Sequence, residues 1–318
     1  LVPGAHEGKG MGNQFLDDLR QADVLIHVID VSGSTNEKGE PVEPGSYDPA
    51  EDVKFLEVEL DMWYLGILKK GWEKFARTVM QEKAQIHLAL AKQLSGLKVT
   101  EEMVEDTINK LSLNKEKPTS WNEEELKNLA TSLRKRTKPM IIACNKVDVP
   151  GAAENLKKLK QEFLDRLFIG CSSESELALR EAAKAELIDY IPGSGDFEIT
   201  NKEKLNQKQQ HALKFIKELL KKHTSTGVQQ VLDKAVFELL KYIAIFPGGV
   251  AKLEDSEGRV LPDCFLMPAG TTALDFAYKL HTDFGKNFIK GIDVKTKRAV
   301  GKEHPLKHGD IIEVVAGK

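Results

Sequence analysis

The segment NKVD at residues 145–148 follows directly on the apolar run MIIAC at residues 140–144. A carboxylate at the end of a strand, here Asp148, can accept hydrogen bonds from both N1–H and the 2-amino group of guanine. Adenine lacks that pair of donors and would leave the carboxylate unpaired, at a cost of roughly 1–3 kcal/mol. The amide of Asn145 can donate to N7 or tie neighbouring loops, and the aliphatic stem of Lys146 can lie flat on the base. The pattern therefore predicts a guanine-reading element.

A second polar segment ends the next predicted strand, at residues 168–171. The small hydroxyl residues Ser172 and Ser173 would offer backbone N–H groups to a carbonyl of the ligand. One predicted helix, at residues 152–167, separates this strand from the strand that ends at Asn145, so both loops are expected at one rim of a doubly wound sheet. Serine clusters also serve as helix caps or ordinary loops, and that alternative stays open.

A third apolar run, from Val24 to Asp30, predicts a strand buried on both faces of a parallel sheet. His27 within it is expected to be a core histidine with satisfied hydrogen bonds. Before this strand, four glycines in residues 4–12 predict a loop. That loop is either a flexible linker or a mobile switch that orders around a ligand. An amphipathic helix is predicted between the loop and the strand, at residues 13–21.

Helical periodicity dominates residues 48–136, between the first two strands. Asp48 is expected to cap the first helix and Pro49 to begin it. The pattern predicts a long helical hairpin that passes Gly66 and Gly71 without losing its period, and then short helices at residues 100–111, which Thr100 can cap, and 122–135. We expect the tryptophans of this segment to pack in the hairpin core.

The composition changes after Pro247, where short alternating segments flank one helix at residues 273–282 and predict a compact α+β module. The segments expected to form its strands are residues 250–253, 260–267, 289–294 and 311–315. A basic run in this module has six cations against a single acid, Asp293. Such a run favours contact with an RNA backbone, although a solvated surface is the usual explanation. The six cations are Lys286, Lys290, Lys295, Lys297, Arg298 and Lys302.

The composition as a whole bounds the class of protein. A length of 318 residues suggests two or three domains, and a net charge of −3 does not favour bulk electrostatic binding of nucleic acid. The three cysteines, Cys144, Cys171 and Cys264, have no paired spacing and are expected to be small core residues in a reducing compartment. No apolar run is long enough to cross a membrane and no signal peptide opens the chain, which predicts a cytoplasmic protein.

Together these motifs resemble those of the Obg-like GTPases, most of all the YchF-related archaeal branch. Residues 1–16 (LVPGAHEGKGMGNQFL) resemble the switch II segment of that family. Further carriers are HVID at 27–30, YDP at 47–49, NKVD at 145–148 and CSS at 171–173. The C-terminal module resembles a TGS domain through LMPAGTTALDFA at 266–277, LHTD at 280–283 and LKHGDIIEV at 306–314.

The resemblance implies an α/β chain that combines a P-loop NTPase-like G domain, N-terminally truncated, with a helical insertion and a ubiquitin-like (β-grasp) TGS domain of α+β type. The G domain is expected at 1–47 and 138–245, the coiled-coil-like insertion at 48–137 and the TGS domain at 246–318. The implied ligands are GTP and Mg²⁺, the implied activity is GTP hydrolysis, and the implied partner is the ribosome or another RNA. YchF proteins proper carry Glu at the last motif position and favour ATP, so Asp148 favours GTP.

One family motif is missing from the chain. No G-x-x-x-x-G-K-[ST] phosphate-binding loop occurs in the 318 residues. That loop, switch I and the Mg²⁺-linked Asp-x-x-Gly of the family would all precede Leu1, which predicts a truncated G domain. Leu1 stands where Ras-like enzymes carry a catalytic Gln, so His6 is the nearest titratable catalytic candidate, with packing or a partner contact as its alternative role.

A rival hypothesis is a non-catalytic scaffold that binds RNA or the ribosome through the helical arm and the TGS domain. The missing phosphate-binding loop favours this hypothesis for the chain as given, and the NKVD motif favours GTP binding.

Overall fold

The computed structural model describes residues 18–254 and 257–317. These residues fall into two compact units that divide between Ala235 and Val236. The expectations for Leu1, His6 and the glycine-rich loop, and for most of the helix at 13–21, lie outside the described residues. The finer division into G domain, insertion and TGS domain stays a prediction.

Three parallel strands form the sheet of the first unit, in the order β1 (Leu25–Asp30), β2 (Met140–Asn145), β3 (Leu167–Gly170). Leu25 pairs with Met140 at the start of β1, and Asp30 pairs with Asn145 at its end. Because the strands run parallel, their carboxyl ends meet at one edge of the sheet. The strands predicted around Asp30, Asn145 and Cys171 are confirmed.

Burial on both faces was the wrong expectation for β1. Its side chains Ile26 and Val28 are 39% and 59% exposed, since no described element covers that face of this edge strand. On the other face, Leu25 and Ile29 are buried in two separate apolar clusters. The central strand β2 does match the expected pattern of a strand that is buried on both faces.

Five helices form an arm between β1 and β2. They are α1 (Pro49–Lys69), α2 (Trp72–Gln81), α3 (Ile86–Gln93), α4 (Glu101–Lys110) and α5 (Glu123–Thr137), with 3₁₀ turns at Ser95–Leu97 and Pro118–Ser120. The predicted N-terminal caps of α1 and α4 are confirmed, because the Asp48 carboxylate accepts from Ala50 N–H and the Thr100 hydroxyl from Met103 N–H. The buried rings of Trp72 and Trp121 stack at 5.4 Å, as expected of arm core residues.

The helical period that was expected to continue past Gly71 is broken there in the backbone. This residue adopts φ +74°, a left-handed conformation that a glycine takes without strain. Helix α1 ends shortly before it, at Lys69, and α2 begins directly after it, at Trp72. The long partner of α1 is α5. The Arg134 guanidinium of α5 bonds the Asp61 carboxylate of α1 at 2.6 Å.

The rest of the first unit consists of further helices and a second, smaller sheet. It contains α6 (Ala152–Glu162), α7 (Ser173–Lys184), α8 (Gln207–His223) and α9 (Val228–Asp233), a short antiparallel pair β4 (Ile188–Asp189) and β5 (Glu198–Ile199), and a 3₁₀ turn at Lys202–Lys204. A π-helical segment, Lys234–Leu239, follows α9.

The second unit is a mixed sheet with helices. Its elements are β6 (Tyr242–Pro247), β7 (Phe265–Pro268), α10 (Ala273–Leu280), α11 (Thr282–Lys286), β8 (Phe288–Asp293), β9 (Arg298–Val300) and β10 (Asp310–Ala316). The strand order is β7-β6-β10-β8-β9, with β10 parallel to β6. Phe276 of α10 is fully buried against Ile245 and Ile312 of the sheet. This is the ubiquitin-like, β-grasp arrangement that was expected.

Two details of the second unit differ from expectation. Cys264 is exposed just before β7, so its assignment to the core was wrong, whereas Cys144 and Cys171 are buried. The strand expected at residues 250–253 is absent from the described residues, which have only an isolated bridge between Glu254 and Val260 there. No helix in the described parts of either unit has the length and apolar character needed to cross a membrane.

His27 lies in the middle of β1, and burial lowers its pKa to about 4, although the charge of Glu57 opposes the shift. Its buried Nδ1 has no hydrogen-bond partner among residues 18–254 and 257–317, so the expectation of a satisfied histidine was wrong for that atom. Below the ordinary histidine pKa of about 6.5, the unfolded chain binds a proton here before the folded chain does. Folding stability therefore falls as the pH drops towards about 4.

We expect His27→Leu to flatten this pH dependence. Urea unfolding at steps between about pH 7 and about pH 4 should show a smaller loss of unfolding free energy for the variant than for the native chain. The exposed His304 provides the control, since His304→Leu should keep the native slope. Equal slopes for all three proteins would show that His27 does not contribute to acid sensitivity.

Candidate functional site

The ends of β2 and β3 are joined by backbone hydrogen bonds. Cys171 N–H donates to Cys144 O at 2.8 Å, and Val147 N–H donates to Cys171 O at 3.3 Å. The segment 145–148 therefore runs beside the segment 171–175. The two loops that the sequence placed at one rim of the sheet are neighbours in space.

Asn145 links these two loops. Its side-chain Oδ1 accepts a hydrogen bond from Ser173 N–H at 2.9 Å, and its carbonyl accepts from Val31 N–H at 3.1 Å. Of the two roles considered for the amide, the structure shows the tie between loops. Through its side chain and its carbonyl together, Asn145 thereby links the ends of all three strands.

Ser172 is the N-cap of α7, where its hydroxyl accepts from Ser175 N–H at 3.4 Å and donates to Ser175 Oγ at 2.9 Å. Its own N–H donates to Thr226 O at 2.8 Å. The N–H groups of Ser172 and Ser173 are therefore bonded within the protein in this structure. In this structure Ser172 acts as a helix cap, which is the alternative role that the sequence left open.

Lys146 points to the end of β1. Its backbone has φ +65°, and its Nζ donates to Asp30 Oδ2 at 2.6 Å and to Ser34 Oγ at 3.0 Å. The Asp30 carboxylate also accepts from the hydroxyls of Ser32, Ser34 and Thr35, at 2.5, 2.8 and 2.8 Å. Burial would raise the pKa of Asp30, but the ammonium and the hydroxyls hold it well below its usual range. This carboxylate stays ionised and its acceptor sites are used within the protein.

Asp148 differs from Asp30 in this respect. Its half-buried carboxylate has no hydrogen bond or salt bridge to any residue in the described ranges, and it lines a cavity of about 340 Å³. An unpaired carboxylate beside a cavity can accept hydrogen bonds from a ligand. Larger cavities of about 730 and 580 Å³ lie on the helical arm and share no residue with segments 145–148 or 171–175.

Glu176 supports the β3 side of the site and was missed by the sequence analysis. It is 4% exposed, and its carboxylate accepts from Arg180 Nε at 2.6 Å, Tyr190 OH at 2.8 Å and Thr226 Oγ1 at 2.6 Å. Burial would raise the pKa of Glu176, yet these three donors lower it. Because Ser172 N–H bonds Thr226 O, Glu176 fixes the loop on which the end of β3 rests. The only sequence signal was the Ser-Thr-Gly turn at residues 225–227, which is typical of an ordinary connection between helices.

Two features of Gly227 in that turn disfavour any residue with a Cβ at this position. Its φ is +82°, and a Cβ there would lie 2.0 Å from Gly170 O and 2.9 Å from Cys171 Cα. Both neighbours are backbone atoms of the β3 end, so neither can move aside as a flexible side chain would.

We expect Gly227→Ala to destabilise the first unit more than a matched change at Gly45. Gly45 has φ +83°, and a Cβ added there would meet no atom within 4 Å, so its substitution incurs only the strain of about 1–2 kcal/mol. Overpacking against β3 should add about 1–3 kcal/mol at position 227. Urea unfolding of both variants measures the difference in their unfolding free energies. Equal losses of stability would show that the backbone at the end of β3 moves to accommodate the added Cβ at little cost.

The six basic residues proposed from the sequence lie in the second unit. All are exposed, and none forms a salt bridge with another residue in the described parts of the chain. Lys295 and Lys297 lie in the turn between β8 and β9, and Arg298 begins β9. Asp293, the one acid of the run, accepts from Thr296 Oγ1 at 2.7 Å and Lys295 N–H at 2.9 Å, so its charge is bonded into the turn.

Comparisons with known proteins agree with both units. Residues 143–249 match the model of the Obg-like GTPase YGR210-like, G4 motif-containing domain, and residues 255–316 match the TGS domain. The GTP-binding protein MJ1332 of Methanocaldococcus jannaschii is 50% identical over 317 residues, covering 99% of this chain and 79% of that protein. The GTP-binding protein C428.15 of Schizosaccharomyces pombe is 34% identical over 282 residues, covering 86% and 68%.

A solved structure agrees in three dimensions. The crystal structure of a GTP-binding protein from Pyrococcus horikoshii OT3 matches with a TM-score of 0.76 and 41% identity, over 95% of this chain and 81% of that one. A more distant relative, the ribosome-binding ATPase YchF of Buchnera aphidicola, is 26% identical over 338 residues, covering 98% and 78%. The chain belongs to the Obg-like, YchF-related family of GTP-binding proteins, and the resemblance drawn from its motifs is confirmed.

Proposed function

We propose that this chain binds a guanine nucleotide at the edge formed by segments 145–148 and 171–175. Asp148 accepts from N1–H and the 2-amino group of the base. The stem of Lys146 lies against the base while its Nζ stays on Asp30, and Asn145 holds the two loops together. Ser172 and Ser173 form the part of the site that faces the carbonyl group of the base. The observation that carries the proposal is the unpaired Asp148 carboxylate at a cavity, next to a loop tie made by Asn145.

The described residues do not account for contacts to the phosphates and Mg²⁺ of the nucleotide. Among the described residues no three His, Cys, Asp or Glu side chains come together as a metal site, and the Asp30 carboxylate is filled by protein donors. These residues do not fit Mg²⁺, so base recognition is the step assigned to them. We propose, on the missing motif alone, that phosphate and Mg²⁺ contacts come from sequence upstream of Leu1, and catalysis by His6 stays a prediction.

Calorimetric titration tests the proposal directly. GTP·Mg²⁺, with ATP·Mg²⁺ as the control, is titrated into this chain and into a version extended upstream through a phosphate-binding loop. Guanine-selective binding by the extended version alone supports both the base site and the upstream assignment. Absence of selective binding by either protein would leave the scaffold hypothesis.

We expect Asp148→Asn to move base preference from guanine towards xanthine. The variant amide can donate to the 2-oxo group of xanthine but loses an acceptor for the guanine donors, so guanine affinity should fall about tenfold or more. Titration of GTP and XTP measures the change. The exposed carboxylate of Asp189 in the same unit serves as the control, through Asp189→Asn. Unchanged guanine preference in Asp148→Asn would overturn the base-reading assignment.

We further propose that the protein is a regulatory GTPase associated with translation, which contacts ribosomal or other RNA through its second unit. The support is that the YchF relative is a ribosome-binding ATPase, and that the six exposed cations of the basic run form no salt bridge within the described residues. In the scaffold alternative, the helical arm and this surface act without any nucleotide.

We expect the triple reversal Lys295→Glu, Lys297→Glu, Arg298→Glu to weaken RNA or ribosome association. The dependence of log K on log salt should also flatten, by about 0.7–0.9 for each phosphate that the variant no longer neutralises. Co-sedimentation with ribosomes over a salt series measures both effects.

The control for this triple variant reverses three exposed lysines of α6, Lys157, Lys158 and Lys160. If the two triple variants associate equally well with ribosomes, the basic run is ordinary surface.

A further inference from the structure

Helix α8 lines the cavity beside Asp148. The loop and helix that follow β3 line the same cavity with Glu174, Ser175 and Ala178. The residues that α8 turns towards the cavity recur at helical spacing, which places them on one face. They are Lys208, His211, Ala212, Phe215 and Ile216. Ile216 also belongs to the apolar core behind the helix, so this wall is anchored in the first unit.

Phe215 is the notable member of that face. The core of this unit buries Phe197, Leu213 and Ile216, yet Phe215 is 50% exposed. Its ring makes no contact with another aromatic ring in the described residues. A half-exposed aromatic side chain beside a cavity offers a flat surface for a planar ligand.

The surroundings of Phe215 suit a flat, polar-edged ring. Ala178 and Ala212 are small and leave space between the walls, and the volume of about 340 Å³ lies within the roughly 300–1,000 Å³ typical of small-molecule sites. Asp148, which lines the same cavity, supplies an acceptor for the edge of such a ring. The cavity thus combines an aromatic face with an unpaired carboxylate.

We propose that α8 supplies the stacking wall of the base site, with Phe215 against the plane of the base and Asp148 at its edge. The inference rests on the proposed function, since the occupant is the guanine base. It adds a residue from outside both loop motifs, more than sixty positions after Asp148 in the chain.

Stacking and edge recognition respond differently to the base, which makes the two assignments separable. Hypoxanthine lacks the 2-amino group of guanine but keeps the same ring system. Removing the aromatic side chain should therefore weaken GTP and ITP alike, whereas Asp148→Asn should reduce the preference for GTP over ITP.

The test is calorimetric titration of GTP·Mg²⁺ and ITP·Mg²⁺ into the chain, and into its upstream-extended version, carrying Phe215→Ala, Phe215→Tyr or Asp148→Asn. We expect Phe215→Ala to lower both affinities about tenfold, as for loss of one base–aromatic stack, and Phe215→Tyr to restore them. Leu177→Ala, at a residue that is 60% exposed on α7, controls for loss of apolar surface.

Native affinities in Phe215→Ala with an altered base preference in Asp148→Asn would overturn the stacking wall and leave the proposed function standing. Native affinities in both variants, or no selective binding by either the chain or its upstream-extended version without substitutions, would overturn the proposed function and the stacking wall with it. A loss confined to GTP in Phe215→Ala would also contradict stacking, because it would place that side chain at the base edge.

Discussion

The parallel pairing of β1, β2 and β3 is the constraint on which the site depends. It brings Asp30, Asn145 and Cys171 to one edge, although more than a hundred residues separate the first from the second. The helical arm that fills this interval has its own apolar core, so its length does not disturb the register of the strands. Each polar contact of the site follows from that edge: Asn145 reaches Ser173, and Lys146 reaches Asp30.

A buried hydrogen-bond network around Glu176 supports the end of β3. Glu176 gathers three hydrogen bonds in a buried position, and the Thr226 backbone that it fixes accepts from Ser172. Replacing one member of such a buried network leaves the others unsatisfied, which costs more than a surface bond does. The close approach of Gly227 to the β3 backbone is part of the same support. The loops of the proposed site are thus held by residues outside it.

The sequence predicted the local part of this arrangement well. The apolar run before Asn145, the caps at Asp48 and Thr100 and the α+β character of the second unit could be inferred because each depends on neighbouring residues. The β-grasp fold of that unit was expected only through its resemblance to a TGS domain. The exposure of Val28 could not, since whether a strand is covered depends on distant segments. The same holds for Glu176, whose three partners lie four, fourteen and fifty positions away. Gly71 was misjudged because the apolar period continues through it while the backbone turns.

The bond between Lys146 and Asp30 also bears on the entropy of binding. A lysine side chain that is loose before a ligand arrives loses rotamer freedom on binding, at a cost of roughly 0.5–1.5 kcal/mol. Here the left-handed backbone of Lys146 and the anchor at its Nζ restrict that side chain in the folded protein without ligand. The ordering is completed when the chain folds, so a ligand laid along the lysine stem meets a preorganised surface. Asp30 can thereby influence affinity without touching the ligand.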